Sequence, residues 1–205
     1  ALTSDRNLAV TPCWGNNGTE IYYTTYKDFN PDLRGLRLSD GYTWWLSRRP
    51  NLNVAPSWCQ RTERIALTLG KDGNSEIYTM DRSGRNEKRL TYTAAIDTSP
   101  SWNPAGNQIA FTSDRTGYPQ IHVMDADGTN VRRLTHMGRY NDSPSWSPRG
   151  DRIAFVGRDN NIFDIYTMKI DGTDWRQLTH NSGNNEDPHW AADGRHIVFS
   201  SNRTG

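Results

Sequence analysis

The sequence predicts an all-β fold, a β-propeller of 44-residue four-stranded blades in five repeats, with the last blade shared between the termini and short of one strand. Three observations carry this expectation. Trp14, Trp58, Trp102, Trp146 and Trp190 follow one another at 44 residues with no insertion or deletion, and a fixed period in this range marks solenoids, propellers and arrays. Each Trp leads into a turn, most of them rich in Pro or Gly, and then a short run of β-formers. The chain is polar, 34% hydrophobic with a mean hydropathy of −0.87, yet 11% of it is aromatic. Large rings, each burying roughly 150–250 Å², supply the apolar surface that thin β-layers need.

The repeat over residues 100–143 shows the elements most clearly. Pro100-Ser101-Trp102 reads as a short strand closed by the turn Asn103-Pro104-Ala105-Gly106. Gln108 to Thr112 is a second strand, and Ser113 to Pro119 a longer polar loop. Gln120 to Met124 is a third strand, ended by a hairpin turn at Asp125-Ala126-Asp127-Gly128, where Gly can take a positive φ. Val131 to Thr135 is the fourth. Blades are expected at about 12–55, 56–99, 100–143 and 144–187, with 188–205 joined to 1–11 as the last. In this register Leu2-Thr3 matches Leu134-Thr135, so Ala1 to Thr11 is expected to be a fourth strand and its following loop. The shared blade then lacks its third strand, about 15 residues in this register. The N-terminal segment sliding inward, a strand from another chain, or further residues would each complete it. A homo-oligomer through the incomplete blade is one such outcome.

A single propeller domain over 1–205 is expected, because one repeat cannot bury its own apolar face. Basic and acidic side chains number 24 and 23 and are interspersed, so no basic stripe points to nucleic acid and no basic amphipathic helix to a membrane surface. No apolar run is long enough to span a bilayer. The chain opens in mid-pattern at Ala1-Leu2-Thr3 and reads as a mature fragment or an excised domain. Cys13 and Cys59 occupy non-equivalent repeat positions, and two free, partly buried thiols are expected rather than a disulfide.

The segments SPSWSPRGDRIAF, AFTSDRTGYPQIHVMDADGTNVRRLT and DIYTMKIDGTDWRQLT resemble the propeller of the TolB family, the periplasmic component of the Tol-Pal system. The resemblance covers essentially the whole chain. It implies a periplasmic propeller that binds proteins of the cell envelope without catalysis, with the peptidoglycan-associated lipoprotein Pal as chief partner. Two departures stand out. The family carries six blades behind an α/β N-terminal domain whose extreme segment engages TolA, whereas this chain offers five repeats alone. Its first turns also drift from Ser-Pro-Asp-Gly, only Ala191-Ala192-Asp193-Gly194 keeping the Asp. A five-repeat fragment or an engineered variant fits both.

Antiparallel strands place the second-to-third loops and the blade-to-blade loops on one face, where long polar loops are expected to bind. The ends of the blade-to-blade loops supply Asn53, Asp97, Asn141, Asp142, Asn185, Glu186 and Asp187, an amide-and-carboxylate rim suited to a peptide, basic groups or a hard cation. The same residues also suit turn capping and ties between blades. Tyr118, Arg139 and Tyr140 add hot-spot chemistry on that face, with Tyr26, Phe29, Tyr92, Phe163, Arg115 and Arg158 near them. The repeat Trp residues are expected to be core, and Ser113-Asp114-Arg115 a polar lock. Ser4-Asp5-Arg6 shares those letters but falls in a different part of the repeat.

No catalytic or metal residues are assigned. His136 and His180 share a repeat position, but no His-x-x-x-His, Gly-x-Ser-x-Gly or phosphate-loop pattern occurs. No cofactor is expected, and calcium is the ion the rim suits. The leading reading is a non-enzymatic propeller binding a protein or peptide such as Pal. A lyase-type or peptidase-associated enzyme domain, and a self-assembling scaffold without its own ligand, stand as alternatives.

Overall fold

A computed structural model describes residues 7–159, 161–180 and 182–204. The expectations for Leu2-Thr3 and Ser4-Asp5-Arg6 lie outside the described residues. The chain forms two compact units, Ala1–Pro100 and Ser101–Gly205.

The first unit holds two four-stranded antiparallel sheets. One runs β1 (Ala9–Gly15), β2 (Glu20–Thr25), β3 (Asp32–Arg37) and β4 (Thr43–Ser47), with a 3-10 turn at Asn16–Gly18 after β1. The other runs β5 (Asn53–Cys59), β6 (Arg64–Leu69), β7 (Glu76–Asp81) and β8 (Lys88–Arg89). β9 (Asp97–Trp102) crosses the division and heads a third sheet with β10 (Gln108–Ser113), β11 (Gln120–Asp125) and β12 (Arg132–Arg133). The second unit adds β13 (Asn141–Trp146), β14 (Arg152–Asp159), β15 (Ile162–Lys169) and β16 (Arg176–Gln177), then a two-stranded sheet of β17 (Asn185–Trp190) and β18 (Ile197–Ser201). This is an all-β propeller fold of four four-stranded blades and a partial fifth. Among the described residues no helix is long and apolar enough to cross a membrane.

The middle strands are buried on both faces, as β6, β7, β10 and β11 are over nearly their whole length. That double burial explains their continuous apolar runs, since neither face of these strands is left to water. In the first unit Tyr22, Leu33 and Leu46 of one blade pack against Ile65, Leu67, Leu69, Tyr78 and Met80 of the next. In the second unit Ala110, Ile121, Val123 and Leu134 meet Trp146, Ile153, Phe155 and Met168 in the same way.

Three details depart from the sequence reading. The fourth strands β8, β12 and β16 hold only two residues each, although the buried Leu90 and Leu134 that follow the first two still donate their N–H groups to the third strand, at 2.8 Å to the Ile77 and Ile121 carbonyls. The first strands begin three residues upstream of each Pro, so that β1 takes Ala9 to Thr11 into the first blade. Trp102 and Trp146 are core, 7% exposed, whereas Trp14 is 66% exposed, on a face of its sheet that no other sheet of its unit covers. Cys13 and Cys59 are free thiols, and burial pushes the Cys13 thiol up to about 12.

Candidate functional site

Each first strand carries a bulge just before its Pro. Thr11, Ala55, Ser99, Ser143 and Asp187 all hold φ between +47° and +55°, one per repeat. The bulge shifts the pairing between Asp142 and Ser145 and between Glu186 and His189. Residues ahead of it are thereby aimed differently from those after it.

The consequence falls on the expected rim. Asn53, Asp97, Asn141 and Asn185 occupy one repeat position at the start of β5, β9, β13 and β17, and all are at most 2% exposed. They do not line an accessible rim, and their places in strands rather than loops explain why. Asn141 Nδ2 donates to Gln120 Oε1 at 3.0 Å and to the Met137 carbonyl at 2.8 Å. Thr135 Oγ1 donates to the same Gln120 oxygen at 2.7 Å and accepts the Ile121 N–H at 2.9 Å. In the next blade Asn185 Nδ2 donates to Asp164 Oδ1 at 3.2 Å, and Thr179 Oγ1 to that oxygen at 2.6 Å. Asn53 follows the pattern, accepting from Ser47 Oγ at 2.5 Å and donating to Asp32 Oδ1 at 3.4 Å. The recurring Leu-Thr and this Asn therefore form one lock tying the outer edge of a blade to the inner strand of its successor. Buried polar atoms must be paired, and here they pair with each other.

Asp142, Glu186 and Asp187 stay nearer the surface. Asp142 accepts from Thr112 Oγ1 at 2.7 Å, from Tyr140 OH at 2.9 Å and from the Ser143 N–H at 2.6 Å. Glu186 and Asp187 are exposed and share a hollow of about 200 Å³ with Tyr140, Asp142, Ser143, Val156 and Phe163. The carboxyl of Asp187 is raised above its ordinary range, first by lost hydration and then by the charge of Asp142.

The aromatic and basic residues of the same face assemble into pairs. The Arg139 guanidinium lies over Tyr118, 5.6 Å from the ring centre. Arg158 lies over both Tyr140 and Phe163, at 5.1 and 5.6 Å, and those two rings meet edge to face at 5.5 Å. Burial and then the Asp142 charge raise the Tyr140 phenol, so it stays a hydrogen-bond donor at neutral pH. β14 and β15 run on as a paired ladder to Asp159↔Ile162, two residues further than β10 and β11, which end at Ser113↔Gln120. The polar loop expected there is instead a hairpin that carries Arg158 and Phe163 on its strands.

Beside this hairpin a groove of about 800 Å³ opens, bounded by Arg139, Tyr140, Arg158, Asn161, Tyr166 and Trp175 among others. The sequence reading passed over Tyr166 and Trp175. The available signal was Gly157, which stands where the preceding repeats have Ser113 and Leu69. A Cβ at Gly157 would lie 2.7 Å from the Tyr166 ring, so only Gly leaves that ring its place. Arg115, by contrast, packs on Phe111 and donates to Ser113 Oγ at 2.9 Å, an intra-blade lock that Arg203, Phe199 and Ser201 repeat. In the first unit Phe29 is fully exposed, Tyr26 partly so, and Tyr92 lies under Arg89 at 4.8 Å. His136 and His180 are exposed. Among the described residues, no three His, Cys, Asp or Glu side chains are grouped as a metal ion would require.

Comparison with known proteins follows the fold. The chain is similar to TolB from Acinetobacter baumannii, at 31% identity and a TM-score of 0.87, over 96% of this chain and 49% of that one. It thus spans about half the length of that relative. A putative TolB from Agrobacterium tumefaciens matches at 22% identity and a TM-score of 0.80, over 94% of this chain and 75% of that one. A chain of a nidogen/laminin complex shares the fold at 12% identity and a TM-score of 0.79, over 95% and 72% of the two chains. No curated protein sequence matches. The TolB beta propeller domain matches residues 1–205, and the chain belongs to that family.

Proposed function

We propose that the chain is a non-catalytic, cofactor-free interaction domain of the periplasm, which binds the lipoprotein Pal or a Pal-like protein on the loop face of residues 101–205. The observation that carries this reading is the pair of aromatic–arginine clusters, Tyr118 with Arg139 and Tyr140 with Arg158 and Phe163. Tyr and Arg dominate the energetics of protein interfaces because they combine large contact area with directed hydrogen bonds at modest entropic cost. The Tyr140 and Phe163 rings are held by edge-to-face contact and the guanidiniums lie over the rings, so less ordering remains when a partner arrives. Family membership supports a TolB-related role.

Capture of purified Pal by the immobilised chain tests the proposal. Binding is expected for the wild type and about tenfold weaker or worse for Tyr118→Ala, whose side chain is half exposed, with an unchanged melting curve. Absence of binding by the folded wild type overturns the assignment of this partner.

A further inference from the structure

The groove beside the β14–β15 hairpin has a charge pattern that specifies its occupant, and this inference rests on the interaction reading above. Among the described residues that line it, the charged side chains are Arg139 and Arg158. Neither forms an ion pair with a carboxylate of the described residues. Each guanidinium is laid on an aromatic face, at 5.6 Å from Tyr118 and 5.1 Å from Tyr140, which supports the cation and leaves its N–H edge open. The apolar wall is pinned in advance. Trp175 Nε1 donates to the Gly172 carbonyl at 3.0 Å, and its ring meets Phe155 at 4.9 Å and Tyr166 at 6.2 Å. The hollow with Asp142, Glu186 and Asp187 shares Tyr140 with the groove, and its acids repel the anion that the groove attracts.

We propose that the groove receives an extended acidic peptide segment of the protein partner, a carboxylate binding Arg139 and Arg158 while the adjoining apolar side chain rests on Tyr166 and Trp175. A carboxylate matches the planar fork of arginine, and charge-assisted contacts of this kind are stronger than neutral ones. An acidic oligosaccharide fits less well. Its many hydroxyls need polar partners, and of the two lining amides Asn141 is already committed to Gln120 and Met137. The hollow sets direction, since a segment entering the wrong way would place its carboxylate against three acids.

The probe is a fluorescein-labelled, capped pentapeptide with two glutamates flanking a phenylalanine, titrated against the full chain by anisotropy. The wild type is expected to bind it, more weakly as salt rises. Arg139→Gln with Arg158→Gln should lose about tenfold or more with an unchanged melting curve. The peptide with glutamines in place of its glutamates should be equally weak on the wild type and on the double variant. Equal binding of the glutamate peptide to wild type and double variant overturns the proposal, as does no binding to the wild type. Tighter binding of tri-galacturonate than of the peptide overturns it in favour of a sugar ligand. Pal capture is measured on the same two proteins. If Pal binds both alike, the groove assignment fails and the interaction reading loses its two arginines, standing only on the tyrosines of that face as tested by Tyr118→Ala. If the peptide binds as expected and Pal does not, the partner is wrong and the groove is retained.

Discussion

Asn141 and Asp142 are adjacent in sequence and play opposite parts. Asn141 is 2% exposed and held by Gln120 and Met137, while Asp142 borders the hollow with Glu186 and Asp187. Asn141→Ala should therefore cost about 1–3 kcal/mol in urea denaturation, because the Gln120 and Met137 acceptors lose their donor in a buried place. Glu186→Gln, on an exposed side chain, should move stability by less than about 0.5 kcal/mol. The residue types of the rim were legible in the sequence, but their directions were not. The left-handed residue before each Pro, such as Ser143 at φ +53°, interrupts the alternation on which a reading of sidedness depends. Two acids make a separate prediction about pH. Burial alone would raise the Asp81 carboxyl, but hydrogen bonds from Ser83, Arg85 and Asn86 hold it at about 2, and Arg152 and Arg176 hold Asp174 at about 2. Both folded-state values lie below the usual 3.8, so their contribution is complete above about pH 4 and is lost as pH falls toward 2. The melting temperature of Asp81→Asn should accordingly depend less on pH between 4 and 2 than that of the wild type.

Among the elements, the third-to-fourth turns were read correctly and for a physical reason. Gly84 and Gly172 take φ of +78° and +84°, and a Cβ at either would come within 2.8 Å of a carbonyl oxygen of the preceding blade, Leu46 or Leu134. The glycines thus serve two needs, positive φ and close approach of one blade to another. Gly172→Ala should destabilise by about 1–3 kcal/mol by thermal or urea unfolding, and a fixed mutant backbone at that turn leaves no cheap relaxation. The β14–β15 hairpin was the least legible element. Its repeat has the same length as the others, so period alone predicted another open loop. The difference lies in composition: Gly117 and Pro119 interrupt the equivalent stretch, while Asp159 to Ile162 contains neither Gly nor Pro. Asn161 takes φ +63° at the tip, and without Pro the ladder continues outward. The groove follows from that extension together with Gly157, two local choices that a search for the shared repeat averages away.

For the whole molecule, the propeller was legible because the repeats over 56–187 share one solution: a Trp-bearing first strand, two largely buried middle strands and a two-residue polar edge. The period fixed blade identity more firmly than any single residue, and the Leu-Thr and Asn positions acquired their role only when neighbouring blades were brought together. On the proposed reading, partner binding falls on positions where the repeat is broken, chiefly Tyr118, Arg139, Tyr140, Gly157 and Arg158. These non-repeating residues are proposed to bind, while the repeating Asn residues hold the fold. Calorimetric titration of Pal into the wild type, Tyr140→Ala with Arg158→Ala, and Asn185→Ala tests this division of roles most directly. About tenfold or greater loss of affinity with retained melting is expected for the first variant, and a lowered melting temperature with near-native affinity of the folded fraction for the second. Full affinity in the Tyr140/Arg158 variant, or lost affinity at native stability in Asn185→Ala, would contradict it.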